Sequence, residues 1–105
     1  MFTGNENQQI SLTAAAALTA NYRSNQIGIG FILGQYFSKD SLNSVLNQET
    51  CVGVRIYYGL NADNTTPELV VVGVDANEND LANGIVLDNG ALCPPRCGLT
   101  NSLNS

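Results

Sequence analysis

The sequence predicts an α+β fold, with two helices packed on a small, mainly antiparallel sheet of about three or four strands built around a central hairpin. Two patterns carry this. Apolar positions alternate through Cys51 to Asp75 on either side of a turn-forming loop. Apolar residues also recur at helical spacing after Ser11 and again after Ser38. A length of 105 residues with 44% hydrophobic content fits one globular domain, with 1–9 as a loose polar lead and 98–105 as an irregular tail.

In chain order, the first element is a helix over SLTAAAALTANYRSN, N-capped by Ser11, whose hydroxyl can accept an otherwise unpaired backbone N–H. Ala14 or Ala15, Leu18 and Tyr22 mark one stripe for burial, and Arg23 suits the negative end of the helix dipole. Residues 25–37 hold Gly28, Gly30 and Gly34 among bulky apolar side chains. They do not form a phosphate-cradling loop, because Leu33 breaks the glycine spacing and no helix follows directly. Phe31 to Leu33 are expected to form an extended segment, buried or at an interface, with glycines where the backbone bends. Ser38 opens a second, short helix, with Leu42, Val45 and Leu46 on one face and Asp40 in the first turn.

The hairpin follows. Val52, Val54, Ile56 and Tyr58 share one face; Gly53, Arg55, Tyr57 and Gly59 share the other. The second run, ELVVVGV, is apolar on both faces, as a strand inside a sheet requires. Asn61, Asp63, Asn64 and Pro67 supply the turn chemistry between them. Asn83-Gly84 and Asn89-Gly90 signal further turns, with a short third strand over 85–87 beside the hairpin and irregular chain from Pro94.

Charge and composition narrow the function. Charged residues are 12% of the chain, about half the usual share. The polar surface is therefore built from amides and hydroxyls, including 14 Asn. Such a surface is poorly defended against self-association. Net charge is −5 and the basic residues are Arg23, Lys39, Arg55 and Arg96, too few to track a phosphate backbone, so neither nucleic acid nor membrane is an expected partner. With no targeting segment in view and no apolar run near the roughly 20 residues that span a bilayer, the expected compartment is the cytoplasm, the alternative being export by a route the sequence does not show.

Four stretches together carry a resemblance: S-L-x-x-A-x-x-L-T-x-x-Y-R from Ser11 to Arg23, V-L-N-Q-E-x-C-V-G-V-R-I-Y-Y-G from Val45 to Gly59, L-V-V-V-G-V-D-A-N-x-N-D from Leu69 to Asp80, and C-P-P-x-C from Cys93 to Cys97. In this order they resemble a group of short, uncharacterised bacterial proteins. The resemblance implies a compact domain of cytoplasmic type and no catalytic residue.

Histidine is absent, which removes imidazole-based triads and metal sites. Cys51, Cys93 and Cys97 admit three readings: a Cys93–Cys97 disulfide, a thiolate metal site lacking a fourth protein ligand, or reduced structural thiols, which are favoured for a reducing compartment. Asp75, Asn77 and Asn79 resemble the start of a calcium loop. That loop fails where Asp80 replaces glycine and Val86 replaces the bidentate glutamate, so a turn rich in Asx side chains is preferred. No cofactor, bound metal or catalysis is expected.

Arg55 is expected to pair across the hairpin with Glu68 or Asp75, or else to contact an anion or carboxylate or anchor an interface beside Tyr57. The functional reading is a self-associating structural or assembly protein, its interface drawn from Ile29, Phe31, Ile32, Leu33, Tyr36, Phe37, Arg55 and Tyr57. The alternative is a small protein-binding or regulatory module that grips its partner through Arg55, Tyr57 and Tyr58.

Overall fold

Side-chain caps and apolar alternation set the elements of the chain. A computed structural model describes residues 1–25 and 32–105. In order they are α1 (Leu12–Ser24), β1 (Gly34–Tyr36), α2 (Lys39–Leu46), β2 (Gly53–Leu60), β3 (Pro67–Val74), β4 (Val86–Leu87) and β5 (Ala91–Cys93). Both helices start where the sequence places them: Ser11 Oγ accepts from Ala14 N–H and Ser38 Oγ from Ser41 N–H, each at 3.1 Å. The fold is α+β. The strands divide between a three-stranded antiparallel sheet, order β2-β3-β4, and a two-stranded sheet of β1 and β5, where the sequence suggests a single sheet. β1 and β5 are three residues each, too short for alternation to reveal.

The hairpin is in register from Gly53↔Val74 to Leu60↔Pro67. Asn61 closes it: its N–H donates to Thr66 O, and its Oδ1 accepts from the N–H groups of Thr65 and Thr66. β3 is the central strand, and Val71 and Val72 also pair with Leu87 and Val86 of β4. The core sits on β3. Val71 is fully buried together with Val45 of α2, and Val72 and Val74 are nearly so. α2 lies across β2 and β3.

Two glutamines tie the parts together. Gln48, just beyond α2, donates through Nε2 to Val45 O and accepts at Oε1 from Ile85 N–H at 2.8 Å. Gly73 and Gly84 leave room for it, since a Cβ at Gly84 would lie 2.2 Å from Gln48 Oε1. Gln35 of β1 reaches the edge of β3, donating to Pro67 O at 2.8 Å and accepting from Leu69 N–H at 3.2 Å. Its carboxamide thus stands in for the peptide unit of a neighbouring strand.

The expectation that both helices pack on the sheet holds for α2 and fails for α1. No residue of α1 is buried. Leu18 is 65% exposed and Tyr22 52%, although periodicity puts them on a stripe for burial. Instead α1 stands off the sheet across an open apolar cleft of about 340 Å³, lined by Leu18, Tyr22, Ile32, Tyr58, Leu69 and Leu103 among others. Arg23 holds the far end of the chain by donating to Leu103 O at 2.8 Å. Among the described residues, no helix is long and apolar enough to cross a membrane.

Candidate functional site

Strand β2 organises the exposed chemistry of the molecule, and its two faces behave differently. In an antiparallel pair, directly opposed residues share a face. Gly53, Arg55 and Tyr57 therefore lie with Val74, Val72 and Val70, while Val54, Ile56 and Tyr58 lie with Gly73, Val71 and Leu69.

On the first face, Asp80 completes a cluster. An isolated bridge pairs Val74 with Asp80 on the side of β3 away from β2. Arg55 Nη1 donates to Asp80 Oδ1 and Tyr57 OH donates to Asp80 Oδ2, so both side chains cross β3 over Val72 and Val74. The expected partners Glu68 and Asp75 are not used. The register sets Val72 opposite Arg55 and places Glu68 four residues along β3. Asp75 spends its carboxylate on Asn77 N–H at 2.9 Å and Asn79 N–H at 3.0 Å.

The charges in this cluster reinforce each other. Hydrogen bonds from Tyr57 and Arg55 hold the Asp80 carboxyl below the usual carboxylate range. Asp80 in turn raises the Tyr57 phenol and the Arg55 guanidinium above their ordinary values. At neutral pH the carboxylate stays an acceptor and the phenol a donor. The arrangement ties β2 to the Asp80 segment across β3.

The second face is apolar and open. Val54, Ile56, Tyr58 and Leu60 are all exposed, Tyr58 at 95% and Ile56 at 51%. Gln48, Cys51 and Leu81 close over the Gly73 end of this face, and the outer half of β2 is left bare. The same four residues also carry the free backbone. The Asn61–Thr66 bond and the register show that odd-numbered residues of β2 bond to β3. The main-chain groups of Val54, Ile56, Tyr58 and Leu60 therefore point outward, and among the described residues β2 has no strand beyond it. The N-terminal segment flanks the first part of this edge: Gly4 lies against the Val52 carbonyl, Phe2 N–H bonds to Ala76 O, and Glu6 and Gln8 line a hollow with Val52, Val54 and Arg55.

The remaining candidates are scattered. Ile29 and Phe31 lie outside the described residues. Ile32, Leu33 and Phe37 are half-buried around β1, and Tyr36 is exposed. Cys93 and Cys97 form a disulfide, with Cα atoms 4.6 Å apart, which corrects the favoured reading of reduced thiols. A turn at Cys93–Arg96, closed by Arg96 N–H to Leu92 O, brings the two together. Cys51 is the free thiol and donates to Gly53 O. Among the described residues, no group of three or more Cys, Asp and Glu side chains is placed to hold a metal ion.

Sequence reasoning missed Asp80, Gln35 and the open strip of Val54, Ile56 and Leu60. The alternation of β2 was visible, but which of its edges and faces would be left uncovered depends on where α1, α2 and β4 dock. Comparison with family models, curated proteins and solved structures returned no match.

Proposed function

We propose that this chain is a non-enzymatic structural protein that works by associating with itself. The observation that carries this is surplus surface. The chain exposes 7572 Å², whereas a folded monomer of this mass exposes about 5,700 Å². The radius of gyration is 15.2 Å, against about 12.9 Å for a compact domain of this length. The surplus is on the order of 1,900 Å², and a standard interface covers roughly 800 Å² on each partner. It includes apolar side chains on α1, β1 and β2 that an isolated domain would be expected to cover.

Sparse charge supports the same reading, since little electrostatic repulsion opposes close approach of two copies. The expectation of neither nucleic acid nor membrane as partner belongs to this proposal; the Cys93–Cys97 disulfide favours an oxidising setting over the cytoplasm. The alternative module built on Arg55, Tyr57 and Tyr58 gains no support, because Arg55 and Tyr57 are committed to Asp80 and Tyr58 lies on the opposite face.

Light scattering after size exclusion, over a series from micromolar to millimolar protein, tests the proposal. The expected result is a mass above 11.1 kDa that rises with concentration or is already a multiple. A homogeneous monomer across the series would refute it.

A further inference from the structure

We propose that the outer edge of β2 is a two-fold seam, at which β2 of one copy pairs antiparallel with β2 of a second copy about Tyr57. This rests on the self-association reading and names its surface.

The edge supplies both halves of a strand–strand contact in the same residues. Val54, Ile56, Tyr58 and Leu60 direct unpaired main-chain donors and acceptors outward and carry exposed apolar side chains on one face. β2 has none of the lysines or prolines that commonly blunt an edge strand. Its single ionised side chain, Arg55, is neutralised by Asp80 within its own chain. A molecule of net charge −5 thus meets its copy along a strip that carries no acid.

The side-chain order specifies a second copy in place of a foreign strand. Opposed residues share a face, so outward-pointing residues must meet outward-pointing residues. When Tyr57 faces its own copy, Ile56 meets Tyr58 of the second copy and Val54 meets Leu60. Each residue then donates to and accepts from its opposite number, and every side-chain pair on the open face is apolar. The central pairs join an aromatic ring to a β-branched chain, a favourable cross-strand combination. A shift of the two-fold register toward the hairpin turn sets Val54 against Ala62, in the loop. A shift the other way sets Leu60 against Val52, which Gly4 already flanks. The centred register alone uses the whole strip.

The test uses the full chain with Cys51→Ser, so that no native free thiol remains. Ile56→Cys and Tyr58→Cys are prepared separately, mixed, and oxidised under non-reducing conditions, while the mass of Tyr58→Lys is measured by light scattering. The mixture is expected to form a covalent dimer about 10-fold faster than either variant alone, because directly opposed Cβ atoms come within reach of a disulfide and diagonal ones do not. Tyr58→Lys is expected to return the mass to 11.1 kDa with an unchanged circular dichroism spectrum, since this side chain is almost wholly exposed. If the native chain is oligomeric while Tyr58→Lys leaves its mass unchanged and the mixture shows no advantage, the seam is overturned and self-association stands. A monomeric native chain overturns both.

Discussion

Replacing Gln35 probes how the two sheets are joined. Its carboxamide makes two hydrogen bonds to β3, donating to Pro67 O and accepting from Leu69 N–H. A typical hydrogen bond contributes about 1 kcal/mol net, and a buried group left unpaired costs more. Gln35→Met keeps most of the packing volume and removes both bonds, so it should lower stability by about 2 kcal/mol. With a urea m-value of roughly 2 kcal/mol/M for a domain of this size, the unfolding midpoint should fall by about 1 M. The two chains must be compared at one protein concentration, because association shifts apparent stability. Gln35→Glu separates hydrogen bonding from packing. Its carboxylate still accepts from Leu69 N–H but opposes the carbonyl of Pro67, so it should lose at least as much at neutral pH. Part of that loss should return below about pH 4, where the protonated acid can donate again. A Gln35→Met midpoint within about 0.2 M of native would show that the carboxamide does not join the sheets.

Two further perturbations address the clamp and the disulfide. Because the folded Asp80 carboxyl is held below its ordinary value, its stabilisation is fully present above about pH 5 and is lost as pH falls through the lowered folded pKa. The stability gap between native protein and Asp80→Asn, from urea melts at several pH values, should be flat near neutrality and close in acid; a gap that widens in acid would contradict the assignment. Tyr57 is raised by the same carboxylate, so in a spectrophotometric titration Asp80→Asn should bring a phenol down toward its ordinary value near 10. Thiol titration of unreduced, unfolded protein should find only Cys51. The double variant Cys93→Ser/Cys97→Ser should lose about 2 kcal/mol, the chain-entropy value for so short a loop. Titration of all three thiols would overturn the bond.

The parts of the fold legible in sequence are those whose signal is local. Alternation marked β2 and β3, apolarity on both faces made β3 central, and Ser11 and Ser38 marked both helix starts. β1 and β5 escaped because three residues hold too little of a two-residue period. Periodicity also misled at α1: it shows which face of a helix would bury, and Leu18 and Tyr22 occupy that face, but the cleft between them and Tyr58 and Leu69 of the sheet stays open. Arg55 stands out in the sequence as a lone cation in mid-strand, whereas its partner Asp80 does not. Asp80 becomes its neighbour only through the bridge to Val74, a contact that no residue spacing announces.

Edge chemistry decides whether association closes or runs on. The side of β3 away from β2 is fully occupied in sequence: the Gln35 carboxamide serves Pro67 and Leu69, β4 pairs with Val71, and Leu81 N–H bonds to Gly73 O at 2.8 Å. Beyond it β4 offers an edge of two residues, too short to template a further strand. The long, open, apolar edge of this sheet is β2. A sheet with one such edge can pair it with itself about a two-fold axis, and that contact consumes the edge in both copies. A filament would need a second, different surface to keep growing. The mass should therefore level off at twice 11.1 kDa as concentration rises. Continued growth into the millimolar range would locate an additional contact elsewhere, with exposed Leu18 and Tyr22 of α1 as the first residues to substitute.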